Sequence, residues 1–226
     1  VDYVTVNFDM KYNFISRLIF LLKNIFKLNF ISQRADNIVS KKYLKKQLEF
    51  ISKSKIAAKL IFVPHHLSHV FSTMFFLNNN KNALIFSFDG SGDFSTIESY
   101  LVNDNKYKQL TKQLFPNSLG FLYTAFTQFL GFYNYGDEYK VMGLSGYGKI
   151  TYKDKIKKLI ISNDPFKLDM SFFNLPKVNY LNFKPNISTI YNEKFIKTFG
   201  NPHQNNDLEP SQEQKDLARS MQFVFE

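Results

Sequence analysis

Apolar positions along the chain come in patches whose period changes from stretch to stretch, and each period predicts an element. Val1 to Phe8 alternates like a short strand. Phe14 to Phe30 is mostly apolar. Wound as a helix it gathers Leu18, Leu22, Ile25 and Phe26 on one face, with Arg17, Asn24 and Lys27 on the other. Lys41 to Lys59 predicts a second helix, lysine-rich outside, with Leu44, Leu48 and Ile51 inside. Ile61-Phe62-Val63 predicts a short buried strand. Behind it Val70, Phe71, Met74 and Phe75 recur at the spacing of a buried helical face, and Pro64 suits the first turn of that helix.

Further on, Asn78 to Asn82 is a polar turn and Ala83 to Phe88 reads as a fully buried strand. Ser95 to Val102 alternates like the return strand of a hairpin, and Lys106 to Phe115 predicts a third strand. Pro116-Asn117-Ser118 opens a helix running through Leu130, with Leu119, Leu122, Tyr123, Phe126 and Phe129 as a broad apolar stripe, and Gly131 closes it. Gly136 to Lys149 reads as a loop-rich surface, and Lys153 to Ile161 as a basic helix. Asp164 to Gly200 mixes proline, asparagine and aromatic residues without a resolvable period, and Asp216 to Glu226 predicts a closing helix. No internal repeat is visible.

A chain of 226 residues holds one large domain or two small ones. Lacking cysteine, it is excluded from disulfides, thiolate metal sites and thiol catalysis, and fits a reducing, cytoplasmic setting. The charges that interrupt Phe14 to Phe30, and its short length, argue against a membrane span. The net charge of +10 raises the question of nucleic acid. The lysines are dispersed, however, with neither an RNP-like aromatic motif nor Cys/His finger spacing, so nucleic acid is not the expected partner.

Candidate chemistry concentrates in three places. Pro64-His65-His66-Leu67-Ser68-His69 holds three of the four histidines. On a helix, His65 and His69 stand one turn apart on one side, the geometry by which one helix offers two imidazoles to one ion. The same spacing suits buried histidines hydrogen-bonded near a helix start. His66 points away from the pair and reads as structural support. Asp89-Gly90-Ser91-Gly92-Asp93 is an acid-and-glycine turn between strands, able to hold a phosphate or a cation, or simply to close a hairpin. Glu138-Tyr139-Lys140-Val141-Met142-Gly143-Leu144 puts an acid and a lysine on the loop-rich surface, where Lys140 would act as a point charge beside a phosphate. His203, in a Pro/Asn-rich loop, is expected at the surface.

In this order, Pro64–His69, the Asp89–Asp93 loop, Pro116–Gly131 and Glu138–Gly148 resemble the amino-terminal part of the nodulation-type carbamoyltransferases, which modify hydroxyl groups of sugars and antibiotics. The Glu138–Leu144 run is the most specific of the four. The resemblance implies an α/β fold of the actin-like, sugar-kinase-like (ribonuclease H-like) kind, a mixed sheet flanked by helices. Against that fold residues 1–226 look like a partial amino-terminal domain, incomplete at both ends, lacking an opening strand, the later part of the same domain and the second domain that forms carbamoyl-adenylate.

The resemblance further implies that His65 and His69 bind Fe2+ or another divalent metal, with an aspartate expected beyond Glu226 as third ligand. It implies that Asp89, Gly90, Ser91, Gly92 and Asp93 contact the adenylate or the metal, and that Glu138 and Lys140 contact ATP or carbamoyl-adenylate. Carbamoyl phosphate and ATP would be the substrates, and the acceptor a hydroxyl of a small molecule or glycan. It assigns no general base, and Asn117 stands where many members have histidine. Two alternatives stay open: a tRNA threonylcarbamoyladenosine-type transferase, or a non-catalytic fragment or basic surface-binding module. Taken alone, these residues are expected to be inactive.

Overall fold

The computed structural model describes residues 1–9, 11–24, 44–55, 57–77, 82–104, 106–176, 178–181, 184–204 and 209–226, with only the backbone for 178–181 and 184–186. It is an α/β chain that divides into two compact units, Val1–Phe115 and Pro116–Glu226. Ile25 to Phe30, the start of the Lys41–Lys59 helix and most of the Asn78–Asn82 turn lie outside the described residues.

The first unit opens with β1 (Tyr3–Val6) and α1 (Phe14–Lys23), then α2 (Leu44–Ser52), β2 (Lys59–Phe62) and α3 (His65–Phe76). A meander of β3 (Ala83–Gly92), β4 (Ser95–Asn103) and β5 (Lys106–Leu114) completes it. β1 and β2 pair in parallel, from Tyr3 opposite Lys59 to Val6 opposite Phe62. The meander is antiparallel in the order β3-β4-β5. Among the described residues no ladder joins it to the parallel pair, so one continuous mixed sheet is not observed.

Helix α3 covers one face of the meander. Val70, Ile85, Tyr100 and Val102 are buried there, with Leu67, Met74, Leu77 and Ala83 against them. The buried stripe of α3 therefore starts at His66 and runs through Val70 to Met74, whereas Phe71 and Phe75 are exposed, contrary to the face predicted. β3 is likewise half-buried rather than fully buried. Ile85 and Ser87 point inward, while Leu84, Phe86 and Phe88 are more than half exposed, because α3 covers only the face on which the alternate residues stand. Ile61 and Phe62 of β2 are exposed as well.

Helix α1 also sits differently from expectation. Leu18 and Leu22 are exposed, whereas Arg17, Phe20 and Asn24 are part-buried. Two contacts account for this turn of the helix: Arg17 pairs with Asp93, and the Phe20 ring packs edge-on against Phe94 and Phe115 at 5.3 and 5.6 Å.

The second unit is built on α4 (Leu119–Phe129), α5 (Glu138–Ser145), α6 (Lys153–Lys157), the hairpins β6 (Ile160–Asn163) with β7 (Phe166–Leu168) and β8 (Val178–Leu181) with β9 (Lys184–Ile187), then α7 (Glu193–Phe199) and α8 (Gln212–Phe225). Ser118 caps α4 by accepting from the Phe121 amide, as the Pro-Asn-Ser start predicts. Residues 121–123 and 125–129 of α4 are buried, so its apolar stripe is core, and the Phe126 and Phe129 rings pack edge-on or tilted against Phe195 and Phe199 of α7.

Four readings of this half are corrected. The expected loop at Gly136–Lys149 contains α5, because Val141 and Leu144 are one turn apart and both buried. The basic helix ends at Lys157 and gives way to the β6–β7 hairpin. His203 is half-buried, with its amide donating to the Phe129 carbonyl (2.9 Å) and its ring edge-on to Phe129. α8 begins four residues earlier than predicted, at a capping box formed by Ser211 and Gln214. The loop before α6 lies against α8: a Cβ on Gly148 would overlap the Lys215 carbonyl.

Candidate metal centre

His65 is the first residue of α3, and His69 follows one turn later on the same side. Their Nε2 atoms are 3.1 Å apart. The register of β3 against β4 breaks between Phe88 and Gly92, and this bulge delivers Asp89 to the pair. Asp89 Oδ2 lies 2.5 Å from His65 Nε2 and 3.7 Å from His69 Nε2. The other oxygen, Oδ1, accepts from the Gly90 amide at 2.6 Å.

The contact with Asp89 raises the pKa of His65 and lowers that of Asp89. Side-chain exposure is 22% for His65, 37% for Asp89 and 53% for His69, so none of the three side chains is fully buried. Two imidazole nitrogens and one carboxylate oxygen converging on one point form a donor set suited to a divalent first-row ion with open positions. Donors at right angles around an ion, at bond lengths of about 2.1 Å, stand about 3 Å apart, so the cluster needs only a small outward shift of Asp89 to fit one.

The hairpin grips His65 elsewhere too. Gly92 passes directly beneath the ring, and a Cβ there would overlap His65 Cγ and Cδ2. Asp93 Oδ2 accepts from the His65 amide at 2.9 Å. The hairpin turn is not made by glycine. Asp93 and Phe94 are its two central residues, both with positive φ (49° and 71°), the pairing typical of a two-residue turn that follows strand twist. Ser91 is exposed, and nothing stands near the position of a Cβ on Gly90.

His66 has a separate role, as expected from its direction. It is 1% exposed, and its Nδ1 meets Ser87 Oγ at 2.7 Å, tying α3 to β3. Burial lowers its pKa. Beside Ser87 across the ladder is Glu98, fully buried, which accepts from Tyr12, Tyr100 and Gln109. The sequence pattern marks no site role for Glu98, Tyr12 or Arg17. The available signal was an acid at an inward position of β4, between Thr96 and Tyr100.

Glu138 and Lys140 belong to the second unit. At the start of α5, Glu138 Oε1 accepts from Thr124 Oγ1 at 2.7 Å. Lys140 Nζ pairs with Asp137 Oδ1 at 2.7 Å, which holds the Lys140 pKa up and that of Asp137 down despite the burial of Asp137. Asn117 Oδ1 accepts from the Leu168 amide at 3.0 Å, tying the start of α4 to β7.

The chain is an α/β protein whose first unit brings two histidines and one carboxylate together. The chain belongs to the carbamoyltransferase N-terminus family, whose pattern it matches over residues 11–226. It is 33% identical to an uncharacterised protein of Synechocystis over 196 residues, which is 84% of this chain and 30% of that protein. It is 40% identical to the nodulation protein NolNO of Sinorhizobium fredii over 91 residues, 40% of this chain and 13% of that protein. With the nodulation protein NolO of Bradyrhizobium diazoefficiens the identity is 37% over 84 residues, 37% of this chain and 15% of that protein. The chain thus spans less than a third of the length of these curated relatives. Among the described residues no helix is long and apolar enough to cross a membrane.

Proposed function

We propose that this chain supplies the metal-holding part of a carbamoyltransferase that moves a carbamoyl group from carbamoyl-adenylate, made from carbamoyl phosphate and ATP, to a hydroxyl of a small molecule or glycan in the cytoplasm. The supporting observation is the convergence of His65 Nε2, His69 Nε2 and Asp89 Oδ2 within a family of carbamoyltransferase N-termini. A divalent ion, iron in this reading, would polarise a carbonyl or phosphoryl oxygen of the donor. The three side chains orient it, with Asp89 providing the carboxylate. In this reading Gly90 and Ser91 meet the donor, a role supported by the exposure of Ser91 and the open space beside Gly90. In the same reading the domain is actin-like, and the antiparallel meander covered by α3 is the part that supports it.

Anaerobic equilibrium dialysis with Fe2+ tests the ligand set. His65→Ala, His69→Ala and Asp89→Asn each lose bound iron, while His66→Ala, though less stable because a buried bond to Ser87 is lost, keeps more of it. Equal iron in all four variants would overturn the assignment. The activity is tested in a protein of the relatives' full length: transfer from labelled carbamoyl phosphate requires ATP and fails in the same three variants.

A further inference from the structure

Helix α3 begins without a cap of its own. Pro64 stands at its N-cap position and has no side-chain acceptor, so the first amide of the helix needs an acceptor from elsewhere. Asp93 supplies it across 28 residues of chain. The same oxygen, Oδ2, also accepts from the Asp9 amide at 2.8 Å, and Oδ1 faces Arg17 Nη2 at 3.3 Å. The Asp93 side chain is only 3% exposed. Asn13 fastens the turn from the other side, donating to the Asp93 carbonyl and to Ser95 Oγ. With both oxygens occupied, this carboxylate is engaged with protein rather than turned toward a ligand.

We propose that Asp93, held by Arg17, is a positioning residue of the metal centre: it fixes the His65 backbone so that the ring stands between Asp89 and His69. This rests on the metal reading of the previous section. A buried carboxylate at a helix N-terminus is favoured by the helix dipole and by its amide donors. Here its donors come from two segments, the Asp9 amide and Arg17 guanidinium of the 9–17 stretch and the His65 amide of α3. An isosteric amide at position 93 keeps one acceptor oxygen but turns an NH2 group either toward the two backbone amides or toward the guanidinium. His65 would then lose its fixed start, while all three ligands remain in place chemically.

The test uses Co2+ as probe, titrated into the chain and followed by its visible absorption, with amide hydrogen exchange at His65 read in metal-free protein. Asp93→Asn is expected to weaken Co2+ binding about 10- to 100-fold and to speed exchange at His65, in a protein that still melts cooperatively. Arg17→Met is the milder second variant. In its background the Asn substitution costs less, because the amide no longer faces a guanidinium, so the two effects are non-additive. If the unsubstituted chain binds no Co2+, the metal reading falls and this role with it. If it binds Co2+ and Asp93→Asn binds equally well with unchanged exchange, only the positioning role falls.

Discussion

Gly92 and Gly90 lie two residues apart and face different constraints. Any side chain at 92 runs into the His65 ring, whereas a Cβ at 90 meets nothing within 4 Å and needs no unusual backbone angle. Gly92→Ala should therefore destabilise the first unit by about 1–3 kcal/mol, as overpacking does, and weaken metal binding. Gly90→Ala should leave both unchanged. Thermal melts and Co2+ titrations of the pair check it, and equal behaviour would show that the ring can move aside. Much at this scale was legible in the sequence: the His65/His69 spacing and the divergence of His66 follow from helix geometry alone. That Asp89 rather than Asp93 would reach the imidazoles was not legible. It depends on a register break that returns Asp89 to the helix, and alternation carries no sign of a bulge.

At the scale of elements, the sequence fared well wherever one period dominated and poorly where composition masked it. α4 and the three meander strands stand where the pattern put them. α5 was hidden by the glycines around Val141 and Leu144. The inward face of α1 was misjudged because Arg17 is drawn to Asp93, a tertiary contact that outranks apolar periodicity. The Ser211–Gln214 box is a local signal, and it carries a prediction: Ser211→Ala should cost about 1 kcal/mol, measured by urea denaturation.

His203 joins α4 to the segment before α8, and burial lowers its pKa, with Glu213 opposing. The unfolded chain takes up this proton near pH 6.5, before the folded one does. Stability from this group is thus complete above about pH 6.5 and declines as pH falls through that range. His203→Asn should flatten the decline in melting temperature between neutral and mildly acidic pH. An identical decline in the variant would assign the effect to other groups.

For the whole molecule, the relevant fact is that relatives run more than three times as long as the stretch matched here. Residues 1–226, given carbamoyl phosphate, ATP and iron, should therefore produce no carbamoylated acceptor, even if the metal cluster forms. Turnover by the chain alone, measured by mass spectrometry of an added sugar or antibiotic acceptor, would show that it needs no further domain. Among the described residues β3 is an edge strand, and its Leu84, Phe86 and Phe88 share one face and are each more than half exposed.

One hairpin holds His65 at the ring through Asp89, beneath it through Gly92 and at the backbone through Asp93. The distance between those three points is counted in residues, so the segment tolerates changes of composition but not of length. A library randomised at 90 and 91 should keep its metal and vary in how it receives a donor. Inserting or deleting one residue between 89 and 92 should break the register of all three contacts at once. Among distant relatives, drift in this loop is then expected as substitution at its two open positions, with gaps falling elsewhere in the chain.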